Sequence, residues 1–324
     1  MSQCRLSLIV PIYNVAPYLQ QCLDSICVSA CDENVEVVLV NDGSTDASLA
    51  IAQAWTEATN VKASPLQVQL VSQANAGLSA ARNAGLKAAT GDYVLFLDSD
   101  DWLAEHAIDT LLRAVSDDDV DILGFAGQSF DEERQELLPA DVIPAASYES
   151  GYAYYCRFAT APRQFPFECV VLRAYKRTFL LQNDLWFGVG LYHEDNLFTP
   201  QACYRAGKVR EMDTVLYIYR RRSGTISTSV GEKHARDVID IANRLAKETL
   251  ALPFPDKRIP FQKITQLYQR PFTFATFRQG YRWRNDVDFR LYKAVSRTKL
   301  RHRANYLLIR FVPWLFRMLY GTKS

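Results

Sequence analysis

Across residues 6 to 125, apolar runs of strand length alternate regularly with helical patterns, and this constrains the fold more than any other feature. "LSLIVPI", "VEVVLVND", "VQLVSQ" and "YVLFLD" read as four strands. Between and after them, "YLQQCLDSI", "GSTDASLAIAQAW", "GLSAARNAGLKAA" and "AEHAIDTLLRAV" place small or apolar residues at helical spacing. Such βαβα alternation predicts an α/β fold, a mostly parallel sheet with helices on both faces. Ligands of these sheets bind beyond the carboxyl ends of the strands. The polar clusters fall there: "PIYN" after strand one, "NDGS" after strand two, "QANAG" after strand three and "DSD" after strand four. Four segments far apart in sequence are thus expected on one rim.

The last cluster raises an electrostatic question. "YVLFLDSDDWL" sets Asp98, Asp100 and Asp101 within four residues at the end of a buried strand. Two carboxylates about 4 Å apart repel by roughly 4 kcal/mol at an effective dielectric near 20. A hard divalent cation, Mg²⁺ or Mn²⁺, would offset that repulsion, taking one or two carboxylates plus substrate phosphates. The plainer alternative is a wet loop in which Asp100 or Asp101 caps the next helix.

From residue 126 to 190 the pattern is irregular and aromatic-rich, as in "SYESGYAYYCRF", which suits an acceptor site and a core equally well. "GLYHEDNLFTPQACYRAG" reads as a helix capped near Glu194 and Asp195, and "KVREMDTVLYIYRRRSGTIST" as a strand running into a basic loop. Beyond Gly231 the chain reads helical to its end. The expected division is a nucleotide-binding and catalytic region over 1–228 and a helical extension over 229–324.

Taken together, "LSLIVPIYN", "VEVVLVNDGSTDAS", "QANAGLSAARNAGLKAATGDYVLFLDSDDW" and "GLYHEDNLF" resemble the inverting family 2 glycosyltransferases of bacterial surface-polysaccharide synthesis, which have the GT-A fold. The resemblance runs over about residues 6 to 225 in matching order. It implies that Pro11, Tyr13 and Asn14 flank a nucleotide base and that Asp42 accepts a hydrogen bond from a uracil imide. It further implies that Gly77 and Arg82 approach the nucleotide and diphosphate, that Asp98 faces ribose or metal, and that Asp100 binds metal. Asp101 is left to cap the following helix. Asp195 matches the base that takes the proton of an acceptor hydroxyl, with Glu194 either orienting it or contacting the acceptor. His193 reads as local support, since no other His lies at ligand spacing. Arg220 and Arg222 alternate on a strand and share one face as a possible diphosphate clamp; a solvated edge strand is the other reading. No membrane-spanning segments are expected to follow, which points to transfer of one sugar per acceptor.

Composition supports a globular protein: of 324 residues, 48% are hydrophobic and 23% charged, with a net charge of +1. That balance is uneven. From Arg290 onward there are nine Lys or Arg and no acid, leaving 28 basic against 36 acidic residues before it. In "RTKLRHRANYLLIRFVPWLFRMLY" Arg303, Arg310 and Arg317 recur every seven residues among large apolar side chains, with a kink expected at Pro313. Such a helix suits either the interface of an anionic membrane or packing on a domain. Seven scattered cysteines suit a reducing compartment, and neither a signal peptide nor a membrane span is expected. The expected address is cytoplasmic, peripheral on the membrane, with a nucleotide sugar and a glycan or lipid-linked acceptor as partners and no nucleic acid. A catalytically inactive nucleotide-sugar binder and a haloacid-dehalogenase-type phosphatase are the competing readings. The phosphatase fits poorly, because its D-x-D normally ends the first strand.

Overall fold

The computed structural model describes residues 6–27, 35–61, 66–117, 119–140, 142–159, 161, 165–222, 231–275 and 277–321. It resolves into two compact units. The first comprises residues 1–155, 163–190 and 198–223; the second comprises 156–162, 191–197 and 224–324.

The first unit is built on a ten-stranded sheet. Its leading part alternates β1 (Leu6–Ile12), α1 (Ala16–Asp24), β2 (Val35–Asn41), α2 (Ser48–Val61), β3 (Leu66–Ser72), α3 (Leu78–Ala88) and β4 (Tyr93–Phe96). These four strands pair in parallel in the order β3-β2-β1-β4, and every residue of β1, β2 and β4 is buried. Both faces being covered, the strands are near-continuous apolar runs. Ile12 pairs with Asn41, and Asn41 with Ser72, so β1 to β3 end level. Small residues let α3 lie close on the sheet: a Cβ on Gly85 would overlap Ile9 Cγ2 of β1.

Beyond β4 the order departs from simple alternation. β5 (Trp102–Leu103) precedes α4 (Ala107–Asp117), and β6 (Ile122–Asp131), β7 (Glu136–Leu137), β8 (Ala146–Tyr148) and α5 (Gly151–Phe158) follow. Next come β9 (Arg173–Lys176), α6 (Arg177–Gln182), α7 (Asp195–Arg205) and β10 (Val209–Arg221). β9 inserts antiparallel between β4 and β6, and β10 runs parallel to β6. The aromatic stretch is largely interior: Tyr154, Tyr155, Phe165 and Phe167 are buried, and the Arg173 guanidinium lies 4.4 Å from the Phe167 ring centre.

The second unit consists mainly of α8 (Glu232–Ala251), α9 (Arg258–Gln269), α10 (Phe277–Trp283), α11 (Phe289–Val295), α12 (Leu300–Phe311) and α13 (Pro313–Tyr320). Tyr268 stacks on Tyr292 with centroids 4.5 Å apart, and Trp283 is buried. The tail is two helices, not one kinked helix. Val312 leaves helical geometry (φ −140°, ψ 62°), and Pro313 takes the first position of α13, where its missing N–H costs nothing. No helix among the described residues is long and apolar enough to cross a membrane.

Candidate active site

The rim at the ends of β1, β2 and β3 is cross-tied by short polar side chains. Asn14, at φ +49°, accepts through Oδ1 from the backbone N–H of Thr45 at 2.8 Å and of Asp46 at 3.3 Å. Asp46 returns the link, accepting from Ala16 N at 3.0 Å and Ser48 N at 2.9 Å. Tyr13 stands half exposed beside them, 48% accessible. Pro11 does not belong to this surface. It is buried in β1 opposite Val40, so the expectation that it flanks a base is corrected. Ile9 O accepts from Leu97 N, which turns the odd residues of β1 toward β4; at Pro11 the β4 pairing has already ended, and the absent N–H leaves no gap.

Asp42 follows β2 and is buried. Its Oδ1 accepts from Gln73 Nε2 at 2.7 Å and Ala76 N at 2.9 Å, and its Oδ2 from Gly77 N at 2.8 Å. Of about four lone-pair directions on a carboxylate, three are used in fixing the loop after β3. Gly77 caps α3 at φ +89°; a Cβ there meets nothing within 4 Å, so the left-handed backbone alone calls for glycine.

After β4 the chain makes a turn, with Asp101 N donating to Asp98 O at 3.0 Å. Asp98 Oδ1 accepts from Arg82 Nη2 at 2.7 Å. Arg82 is neither solvated nor rim-exposed: it is buried, with its guanidinium 5.2 Å from the Phe187 ring centre. Asp100 Oδ2 accepts from Arg222 Nη2 at 2.8 Å, and Arg222 also lies 4.7 Å from the Tyr18 ring centre. Burial, and then the charge of Asp98, raises the Asp100 carboxyl above its ordinary range, although Arg222 acts the other way. One oxygen of each carboxylate therefore stays outside the two ion pairs.

Two expectations fail in this turn. Asp101 is no helix cap: α4 begins at Ala107, and Asp101 is buried, accepting from Tyr217 Oη at 2.6 Å and Arg220 N at 2.8 Å. The reason is β5, whose antiparallel pairing of Trp102 with Ile218 draws the turn onto β10. Tyr217 Oη also accepts from Asp98 N at 3.3 Å, so one phenol holds both ends of the turn. Nor is Arg220 free to clamp a diphosphate. It is 5% exposed, and Nε donates to Asp100 O at 2.8 Å, Nη1 to Glu132 and Nη2 to Gln21. Its guanidinium lies between the rings of Tyr18 and Trp102, 5.0 and 4.7 Å from their centres. Of the expected arginine pair, only Arg222 keeps a partly open face. The loop after it, "SGTIST", lies outside the described residues. Tyr18, Gln21, Glu132 and Tyr217 carry no local sequence signal for these roles.

Could this turn hold a metal? Among the described residues no group of three or more His, Cys, Asp or Glu side chains is arranged around a common point. Asp98 and Asp100 supply hard oxygen donors of the type Mg²⁺ and Mn²⁺ accept, and two protein ligands suffice when phosphate and water complete the shell. The donor set fits.

Glu194 and Asp195 belong to the second unit, in residues 191–197. Asp195 is the first residue of α7, where the helix N-terminus favours a negative charge. Leu197 N donates to Glu194 O at 2.9 Å, and Glu194 is buried. α8 anchors the preceding residues: Tyr192 N donates to Asp237 Oδ2 at 2.9 Å, and His193 Nε2 lies 3.0 Å from His234 Nδ1. His193 adopts φ +62°, and burial followed by the charges of Arg270 and His234 pushes its imidazole down to about 4.

The profile of Glycosyl transferase family 2 matches residues 7–182. Glycosyltransferase GlyA of Streptococcus pneumoniae serotype 4 is 33% identical over 241 residues, which is 73% of this chain and 33% of that protein. Uncharacterized glycosyltransferase YibD of Escherichia coli K12 is 31% identical over 226 residues, 69% of this chain and 63% of that one. The chain thus spans a third of the first relative and under two thirds of the second. The crystal structure of Staphylococcus aureus TarS 1-349 in complex with UDP-GlcNAc superimposes with a TM-score of 0.72 at 21% identity, covering 99% of this chain and 93% of that one. At that identity the likeness is one of fold, GT-A, and it extends through the C-terminal helices.

Proposed function

The chain belongs to glycosyl transferase family 2, and on that premise we propose that it transfers one sugar, with inversion, from a UDP-sugar to a hydroxyl of a glycan or lipid-linked acceptor in surface-polysaccharide synthesis. The observation that carries this reading is the pair Asp98 and Asp100, each backed by an arginine, at the carboxyl rim of a parallel sheet. UDP as the nucleotude draws support from the TarS structures, which are described with UDP-GlcNAc and with UDP. A polymer hydroxyl as acceptor draws support from the name of TarS, a poly(ribitol-phosphate) beta-N-acetylglucosaminyltransferase.

In this reading Asp42 offers its remaining lone pair to the imide N–H of the base, which Tyr13 covers. The Gly77 backbone, lacking a side chain, lets the nucleotide approach closely. Asp98 and Asp100 would hold Mn²⁺ or Mg²⁺, which would supply positive charge for the departing diphosphate. Arg222, paired with Asp100 and partly open, adds a second cation beside the acidic turn. Asp195 accepts the proton of the attacking hydroxyl, and Glu194 steers the acceptor. An ionised Asp195 is a weak base toward a free alcohol. It becomes effective late in the displacement, when the attacking oxygen has turned acidic.

The test pairs two variants with isothermal titration and a nucleotide-release assay. Asp195→Asn is expected to lower kcat by about 10²–10⁴-fold with UDP affinity within about twofold of the parent. Asp100→Ala is expected to remove the Mn²⁺ dependence of UDP binding. Near-normal turnover in Asp195→Asn refutes the base, and retention of the sugar's anomeric configuration in the NMR spectrum of the product refutes inversion.

A further inference from the structure

α12 and α13 carry large apolar side chains on their exposed faces as well as on their buried ones. A surface helix normally turns its apolar face inward and its polar face outward. α12 buries His302 and Asn305 along with Tyr306 and Ile309, and both amide atoms of Asn305 find no hydrogen-bond partner among the described residues. Meanwhile Leu300, Leu307 and Phe311 are 82%, 52% and 60% exposed. Their spacing of seven and four puts them on one face of the helix. α13 continues the pattern, with Trp314 39% and Met318 69% exposed at a spacing of four, opposite buried Pro313 and Phe316. A contiguous apolar surface of this kind marks a site of association.

The charges beside it say with what. Arg303, Arg310 and Arg317 are exposed and fall three or four residues from the apolar side chains, along one flank of the stripe. Arg310 also lines a cavity of about 540 Å³ with Arg290, Lys293, Phe289, Val287 and a single acid, Asp288. Asp288 is engaged as the cap of α11, accepting from the N–H groups of Arg290 and Leu291. Pairing with a second copy through a twofold axis would set these arginines against themselves. An apolar stripe flanked only by cations matches a surface with an apolar interior and an anionic skin.

We propose that α12 and α13 lie in the interface of an anionic lipid bilayer, with Leu307, Phe311, Trp314 and Met318 among the acyl chains. Arg303, Arg310 and Arg317 sit at the level of the headgroup phosphates, and the Arg290–Lys293–Arg310 cavity takes one headgroup. The inference concerns the second unit alone and does not depend on glycosyl transfer.

Co-sedimentation of the full chain with vesicles tests it. Vesicles of phosphatidylglycerol and phosphatidylcholine in equal parts should retain the protein with a partition coefficient at least tenfold above that for phosphatidylcholine alone. The difference should shrink as salt rises from roughly 0.1 to 0.5 M. Phe311→Ser with Met318→Ser should lower partitioning at least tenfold while the melting midpoint and UDP binding stay unchanged, because both side chains already face water. Arg303→Gln should weaken only the anionic-lipid component. Equal binding of parent and double variant overturns the proposal, as does equal binding to both vesicle types. A lipid-free dimer that the double variant dissociates overturns it in favour of self-association.

Discussion

Tyr217→Phe isolates the contact on which the acidic turn depends. The phenol donates to buried Asp101 at 2.6 Å and accepts from Asp98 N at 3.3 Å. Removing one oxygen leaves Asp101 with the Arg220 N–H as its remaining contact from β10. Loss of a hydrogen bond to a charged, buried group costs about 1.5–3 kcal/mol. For a unit of roughly 200 residues, at about 2–4 °C per kcal/mol, the melting midpoint should fall by about 3–12 °C. The cost should depend on pH. Burial, then the charges of Asp100 and Asp98, raises the Asp101 carboxyl well above its ordinary range, while Tyr217 lowers it. Without the phenol the folded state holds its Asp101 proton to still higher pH. Above both folded values Asp101 is ionised and the full charged-bond loss applies. As pH falls through the folded values Asp101 protonates and the loss drops to that of a neutral hydrogen bond, about 0.5–1.5 kcal/mol. Urea unfolding of parent and variant across a pH series measures this. A difference below about 0.5 kcal/mol at the alkaline end, or one that grows as pH falls, refutes the reasoning.

Other predictions separate packing from ligand-facing roles. Arg220→Met should destabilise the first unit by about 1.5–3 kcal/mol, because the thioether can donate neither to Asp100 O nor to Gln21 and Glu132. Arg222→Met should destabilise the first unit by about 1–3 kcal/mol, because it leaves the largely buried Asp100 beside Asp98 without its cation, and on the proposed function it weakens UDP binding in titration calorimetry. Gly85→Ala should cost about 1–3 kcal/mol by overlap with Ile9, read as a lowered urea midpoint at unchanged m-value. The His193–His234 pair should make stability fall with acid. Both imidazoles are held below the unfolded value of about 6.5, and His193 titrates at about 4, so between these values the unfolded chain binds protons that the fold refuses. The contribution is intact above pH ~6.5 and is lost on the way down. His193→Asn, which tolerates the left-handed backbone, should flatten the decline in melting midpoint between pH 7 and pH 5.

Much of the architecture is legible because parallel strands buried on both faces write themselves as apolar runs. β1, β2 and β4 announce themselves in that way, and the edge strand β3 by its alternation, as do the polar clusters at their ends. β9 does not, because "RAYK" is four residues long, and long-range pairing with β4 and β6 gives it its place. The same limit explains Asp101 and Arg220. A carboxylate just ahead of a helical pattern reads locally as a cap, and an arginine on an alternating strand reads as surface. What overrides both is β5, two residues that pair with β10 across more than a hundred positions. Pro11 shows the converse: its neighbour Tyr13 is exposed, and nothing in "PIYN" tells which of its residues the sheet covers.

The clasp between Asn14 and the N–H groups of Thr45 and Asp46, returned by Asp46 to Ala16, joins the β1–α1 and β2–α2 turns into one body. A guest arriving at this edge meets a stiff collar whose shape is already set. Its entry should release little heat from loop folding and leave the amide-exchange rates of both turns almost unaltered, so whatever discrimination the collar exerts is exercised at first contact.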